Sequence, residues 1–254
     1  MHQAKKQFGQ NFLVDQQIIS DIIRAIRPHS GDNMVEIGPG LGALTRPLID
    51  TLNQLHVIEI DRDIIARLKT DYPRDKIVIH EGDALKFDFS ELPAPLRIVG
   101  NLPYNISSPL LFHFSAFTPR ITDMHFMLQN EVVERMVAEP STPEYGRLSV
   151  MLQYRFHMEK LLDVPPESFR PAPKVNSAIV RMIPKPKNEI TVNDEALFAE
   201  IVKTAFGQRR KTLRNTLRGF ISEQQLLALD IDAQLRAENL GWQEFSRIAN
   251  KLAT

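Results

Sequence analysis

The first 130 residues alternate short apolar runs with longer amphipathic stretches, and most of the runs stop at a turn rich in glycine or polar groups. Asn33–Ile37 runs into Gly38-Pro39-Gly40. Leu55–Ile60 carries a glutamate, Glu59, near its end. Lys76–Ile79 closes at Gly82-Asp83, Leu96–Val99 at Asn101-Leu102-Pro103-Tyr104, and Met124–Leu128 is a fifth run. Leu41–Thr51 and Asp63–Thr70 read as the helices between them. Alternation of this kind predicts an α/β fold, a parallel sheet with helices on both faces. Such sheets bind ligands in the crevice beyond the carboxyl ends of the strands, so the residues that close each run are the ones to read for chemistry.

A second zone follows. Arg147–Arg155 reads as a helix, and His157–Val164 and Val175–Ile183 as strands joined by a proline-rich loop, Pro165–Pro173. These two strands suit an antiparallel hairpin at a sheet edge. Ile183–Asn188 has the composition of a linker. Beyond it only helical patterns occur, at Asp194–Phe206, Arg209–Phe220, Glu223–Leu229 and Trp242–Leu252. The expected division is a catalytic α/β domain over 1–186 and a small all-helical domain over 187–254. The tail is too short for a large core of its own, so it is expected to pack against the main domain.

Gly38, Gly40 and Gly42 sit where the first strand turns into the first helix. Glycine there lets backbone approach a ligand closely, and the helix start carries partial positive charge. The spacing is not the Gly-x-Gly-x-x-Gly of dinucleotide sites. Glu59 closes the second strand, where a carboxylate can accept both hydroxyls of a ribose. Asp83 closes the third and can accept from an adenine amino group, although a Gly-Asp turn alone would explain it. Asp61 and Asp63 read as an N-cap and a first-turn charge. No Walker lysine or hydroxyl accompanies the loop, so a nucleoside without phosphates fits better than a triphosphate.

Asn101-Leu102-Pro103-Tyr104 is more specific. The amino group of adenine is a poor nucleophile because its lone pair is delocalised into the ring. Two acceptors converging on its N–H bonds draw the nitrogen toward tetrahedral geometry and free the lone pair. The Asn101 side-chain oxygen and the Leu102 carbonyl can supply them, and Pro103 restricts Leu102 to extended geometry. Tyr104 can stack on the base and stabilise the cation that develops on nitrogen. A loop turn is the plain alternative.

Six segments occur in order: Lys6–Leu13, Glu36–Gly42, Glu59–Asp61, Gly82–Ala84, Asn101–Ser107 and Phe169–Val175. Together they resemble the ribosomal RNA adenine dimethyltransferases, in their bacterial small-subunit branch, and the likeness covers nearly the whole chain. The resemblance implies a Rossmann-like sheet and S-adenosylmethionine as methyl donor. Asn11 and Leu13 would then close over the methionine end and Gly38 would line the slot. Glu59 would hold the ribose, Asp83 the adenine, and Asn101 both donor and target amine. The implied product is N6,N6-dimethyladenosine at two adjacent adenosines in a hairpin loop near the 3′ end of 16S rRNA, with a part in small-subunit biogenesis alongside.

In-line transfer of a sulfonium methyl asks the protein mainly to position and desolvate. The chain has no cysteine, which excludes thiolate catalysis, disulfides and Cys-ligated metal. Its histidines show no metal-ligand spacing, so no metal is expected. Once methylated, the amine is acidic enough for water to take its proton. The target base must leave its stack to be reached, and Phe169 is expected to stack on the face opposite Tyr104, unless it is simply a buried loop anchor.

Total charge is balanced, with 31 basic and 31 acidic residues, but the distribution is uneven. Ile201–Ser222 holds Lys203, Arg209, Arg210, Lys211, Arg214 and Arg218 and no acid. Arg210, Arg214 and Arg218 recur every fourth residue and are expected to share a helix stripe beside Leu213, Leu217 and Phe220. With Lys5 and Lys6, Arg209, Arg210, Lys211 and Arg214 form the expected RNA footprint. No apolar run reaches the roughly 18–20 residues of a membrane span, and the first residues lack a signal-peptide core. A cytoplasmic monomer that acts on the small ribosomal subunit is therefore expected. Two alternatives stay open: a large-subunit (23S) rRNA adenine methyltransferase of the antibiotic-resistance type, and an assembly factor that only binds RNA.

Overall fold

The structure is a computed structural model that describes residues 10–253. It opens with a two-residue strand, β1 (Phe12–Leu13), and a helix, α1 (Gln16–Ile26). Asp15 caps α1 by accepting from the Gln17 and Ile18 amides, and Ile19, Ile22 and Ile26 form its buried stripe. Then follow β2 (Asn33–Ile37), α2 (Thr45–Thr51), β3 (Leu55–Glu59), α3 (Arg62–Asp71), β4 (Ile77–Glu81) and β5 (Leu96–Asn101). Next come α4 (Ser107–Phe114), β6 (Ile121–Gln129), α5 (Asn130–Val137), α6 (Arg147–Gln153), β7 (Phe156–Val164), β8 (Phe169–Arg170) and β9 (Ser177–Pro184). The remainder is helical: α7 (Glu195–Phe206), α8 (Leu213–Thr216), α9 (Glu223–Leu227) and α10 (Trp242–Leu252).

Seven strands form one sheet in the order β4-β3-β2-β5-β6-β9-β7. The β4, β3, β2, β5 and β6 strands run parallel, and β9 is antiparallel to β6. Met34, Val35, Ile37, Val57, Ile58, Ile98 and Val99 are buried, as strands covered on both faces require. Chain order reverses between β2 and β5, which opens a crevice at their carboxyl ends. Gly100 is needed there for packing: a Cβ on it would stand 2.6 Å from the Ile37 carbonyl of the neighbouring strand. The two late strands are neighbours at a sheet edge, as expected, with β9 lying between β6 and the edge strand β7.

The chain divides into two compact units, and not at a single point. One unit runs to Val133 and resumes over Glu159–Pro184; the other takes Glu134–Met158 and everything from Lys185. A split into 1–186 and 187–254 therefore needs correcting. Tyr145, Val150 and Tyr154, which flank or lie on α6, share a core with Phe198, Ile201, Leu213, Leu217 and Phe245. The tail thus completes its own core by taking in an earlier helix, something that apolar periodicity within the tail does not disclose.

The expected helix over Arg209–Phe220 is also corrected. Only Leu213–Thr216 is α-helical. The Leu213 amide donates to the Leu235 carbonyl and the Arg214 amide to the Ala233 carbonyl, and Thr212 bridges to Arg236. Backbone groups that serve a neighbouring segment are lost to an i→i−4 ladder, so Arg210, Arg214 and Arg218 do not form one helical stripe.

Candidate active site

A cleft of about 240 Å3 opens at the carboxyl ends of β2, β3, β4 and β5. Asn11, Leu13, Gly38, Glu59, Asp83, Asn101, Leu102 and Tyr104 all line it. Residues 90 positions apart in sequence thus meet around one volume, because four strand ends and the segment before α1 converge there.

The glycine loop is built as a close-approach surface. Gly38, Gly40 and Gly42 have φ of 63°, 54° and 87°, which side chains with a Cβ rarely adopt. The Gly38 amide donates to the Ile58 carbonyl at 3.0 Å, tying the loop to the end of β3. A Cβ on Gly40 would meet the Phe12 ring at 3.1 Å, so β1 lies directly over the loop.

Glu59 is 7% exposed and accepts from its own neighbours, the Ile60 and Asp61 amides, at 2.9 and 2.8 Å. Burial raises its pKa, and these backbone donors offset part of that. Asp61 caps α3 by accepting from the Asp63 amide, and it also accepts from Gln10, which settles it as structural. Asp83 takes both readings: one oxygen accepts from the Leu85 amide at 3.0 Å, and the residue lines the cleft.

Glu36 was legible only as part of the glycine motif, yet it lines the cleft at 2% exposure. The Thr45 hydroxyl donates to it at 2.7 Å. Burial lifts its pKa to about 7, with the nearby Glu59 charge adding to the effect. Ile60, 50% exposed, offers apolar surface at the same wall. An apolar residue directly after the strand-closing acid is the sequence signal that could have singled it out.

The Asn101 amide nitrogen donates to the Asn11 carbonyl at 3.0 Å. A carbonyl partner fixes which end of the amide is nitrogen, so the Asn101 oxygen is left to accept from a ligand. No described residue donates to the Leu102 carbonyl, while its amide donates to the Met127 carbonyl at 3.2 Å. Two acceptor oxygens therefore stand adjacent on one tetrapeptide. Tyr104 is half-buried, its hydroxyl 2.7 Å from Ser177 Oγ, and burial raises its pKa.

Phe169 is a correction. It is 1% exposed, belongs to the core with Leu13 and Val164, and is absent from the cleft wall. Its strand β8 pairs antiparallel with β1, with Leu13 opposite Phe169 and Phe12 opposite Arg170. The Val14 amide adds a bond to the Ser168 carbonyl. The loop's phenylalanine is spent on anchoring the segment that covers the cleft, and its face is not available to a base.

The basic residues Arg209, Arg210, Lys211 and Arg214 lie in the second unit. Arg209 pairs with Glu238 and donates to the Pro143 carbonyl, Arg214 pairs with Glu223, and Lys203 with Glu200. Arg210, Lys211 and Arg218 have no acidic partner among the described residues. Lys5 and Lys6 lie outside the described residues.

The cleft's charge is one-sided. Glu36, Glu59 and Asp83 line it, and no Lys, Arg or His does among the described residues. A wall of carboxylates with no cation suits a positively charged ligand and opposes a phosphate. S-adenosylmethionine, net positive with its sulfonium, ammonium and carboxylate beside an uncharged ribose and adenine, fits that set of acceptors. No group of three or more His, Asp or Glu among the described residues could hold a metal.

Comparison with known proteins agrees. The family model for ribosomal RNA adenine dimethylase matches residues 1–254. A protein named ribosomal RNA small subunit methyltransferase A from Thiobacillus denitrificans is 61% identical over all of both chains. Its namesake from Aromatoleum aromaticum is 62% identical over 99% of this chain and 95% of its own. Among solved structures, a dimethyladenosine transferase from Plasmodium falciparum superposes with a TM-score of 0.82 at 27% identity, covering 95% of this chain and 97% of that one. The 23S rRNA methyltransferase ErmE gives 0.75 at 25% identity, covering 96% and 100%.

Proposed function

The chain belongs to the ribosomal RNA adenine dimethylase family, and from that premise we propose how its residues carry out the reaction and on which RNA. It is an S-adenosylmethionine-dependent rRNA adenine N6,N6-dimethyltransferase, on a Rossmann-like sheet, that acts on the small-subunit RNA. The donor supplies a methyl on a sulfonium, so no covalent enzyme intermediate is needed. Glu59 holds the ribose hydroxyls and Asp83 the adenine amino group, while Gly38 and Leu13 shape the slot. Asn11 serves through its carbonyl, by orienting the Asn101 amide.

Asn101 Oδ1 and the Leu102 carbonyl accept the two N–H bonds of the target amine and localise its lone pair. Tyr104 stacks on the target base and stabilises the positive charge that grows on nitrogen. Water removes the proton from the methylated amine. The observation that carries this reading is the Asn101–Asn11 bond, which commits the amide nitrogen and leaves its oxygen for the substrate.

The targets we assign are two adjacent adenosines in the hairpin loop near the 3′ end of 16S rRNA. Arg210, Lys211 and Arg218 contact phosphates, with Lys5 and Lys6 as further candidates. We place the enzyme in the cytoplasm as a monomer. No helix among the described residues is long and apolar enough to cross a membrane. The large-subunit alternative shares this catalytic chemistry, and the roughly 60% identity to small-subunit enzymes against 25% to ErmE weighs against it.

Incubation with labelled donor and unmodified small subunits, followed by mapping of the modified nucleotides, tests the assignment. Methylation of large-subunit RNA alone would overturn it. Asn101→Ala is expected to lower single-turnover methyl transfer by at least about 100-fold, from loss of a contact made in the transition state, with donor affinity within about tenfold of wild type. Near-normal turnover in that variant would remove Asn101 from the chemistry.

A further inference from the structure

We propose that Ser177 is a positioning residue for methyl transfer, which holds the Tyr104 ring in its working orientation through the ring hydroxyl. The proposal rests on Tyr104 being the ring against which the target base stacks. The two residues are 73 positions apart, and Ser177 Oγ lies 2.7 Å from the Tyr104 hydroxyl. Ser177 is fully buried at 0% exposure. A buried hydroxyl costs stability unless it is paired, and the one partner of this side chain among the described residues is Tyr104.

The anchor is stiff. Ser177 is the first residue of β9 and stands opposite Gln129 in the ladder with β6. The Asn130 amide donates to the carbonyl of the preceding residue, Asn176, at 2.9 Å. On the other flank of β6, Met127 stands opposite Asn101 and its carbonyl accepts from Leu102. One strand thus registers both ends of the bond: the tetrapeptide that carries the acceptors, and the serine that grips the far tip of the aromatic ring. A tether at the hydroxyl resists rotation at χ1 more effectively than packing near Cα, because the ring tip swings through the longest arc about that bond. The half-buried ring can then keep its place at the cleft wall while the base enters.

A positioning role differs from a merely structural one in what it moves. Ser177→Ala is expected to lower kcat on unmodified small subunits about fivefold, the equivalent of one net hydrogen bond, with KM for S-adenosylmethionine unchanged. Tyr104→Phe should lose the same factor from the other end. The double variant should be no slower than Tyr104→Phe alone, because both substitutions remove one bond. Ser177→Thr keeps the hydroxyl and should restore turnover. Should Ser177→Ala fail to fold, Ser177→Cys, similar in shape with a weaker hydrogen bond, takes its place with the same expected direction.

Wild-type kcat in the alanine or cysteine variant, or losses that multiply in the double variant, would overturn the assignment of Ser177. Tyr104→Ala separates this from the premise. Wild-type turnover there would overturn the stacking role of Tyr104 itself. A large loss there beside an unaffected Ser177 variant would overturn only the positioning role.

Discussion

Glu36 carries a carboxyl into β2 between the buried Val35 and Ile37, and the environment answers by lifting its pKa to about 7. A carboxyl that titrates near 4.5 in the unfolded chain then binds its proton more tightly when folded. Its contribution to stability is complete below the unfolded value and is lost as pH rises through about 7. The ligand-free protein should therefore lose stability over that window, by on the order of 3 kcal/mol for a group this buried. Glu36→Gln keeps an acceptor for Thr45 without the charge. Its melting temperature should exceed that of the wild type near pH 8, and the gap should close near pH 5. Parallel melts at the two pH values check this, and an unchanged gap would contradict it. A cation bound beside Glu36 and Glu59 would in turn favour their ionised forms.

At the scale of elements, the instructive pair is β1 with β8. Two residues of each are enough to hold the segment carrying Asn11 over the cleft, because Leu13 and Phe169 bury their side chains together beneath it. The Asp15 cap accepts from Ser168 as well as from the start of α1, so helix and loop are tied at one point. Removing the Phe169 side chain should cost about 3–5 kcal/mol of stability. Phe169→Leu, which refills most of the volume, should keep methyl transfer within about threefold of wild type. Chemical denaturation and turnover assays on the two variants read this directly. If Phe169→Leu abolished transfer in a stable protein, an aromatic contact to the base would return to consideration.

Across the whole molecule, charge is arranged so that the cleft is acidic and the residues proposed to contact RNA lie elsewhere in the chain. Glu238 and Glu223, both beyond the C-terminal end of the basic run, pair with Arg209 and Arg214. Exposed pairs of this kind are weak, but they lower the cation count available to phosphates. Neutralising Arg210, Lys211 and Arg218 together should weaken RNA binding and reduce the slope of log K against log salt by about 2 units. Neutralising Arg209 and Arg214 should reduce it by less. Binding titrations across a salt series decide between them, and equal slopes for the two variants would refute the distinction.

Sheet, glycine loop and acceptor tetrapeptide were legible in the sequence, because each depends on neighbours a few residues away. Apolar runs define strands, positive φ favours glycine, and Asn101-Leu102-Pro103-Tyr104 holds its two acceptors next to each other along the chain. Glu59, Asp83 and Asn101 could be placed at one cleft because parallel strands bring their carboxyl ends to one edge. What only the tertiary structure decided involves partners far apart in the chain. It buried Phe169 against Leu13, cut the helix at Arg209–Phe220 short by lending its amides to residues 233 and 235, and gave α6 to the second unit. It also set Ser177 on Tyr104. The reason is the same throughout: a local pattern fixes which face of an element is apolar or polar, but the group that meets that face is chosen by packing across the fold.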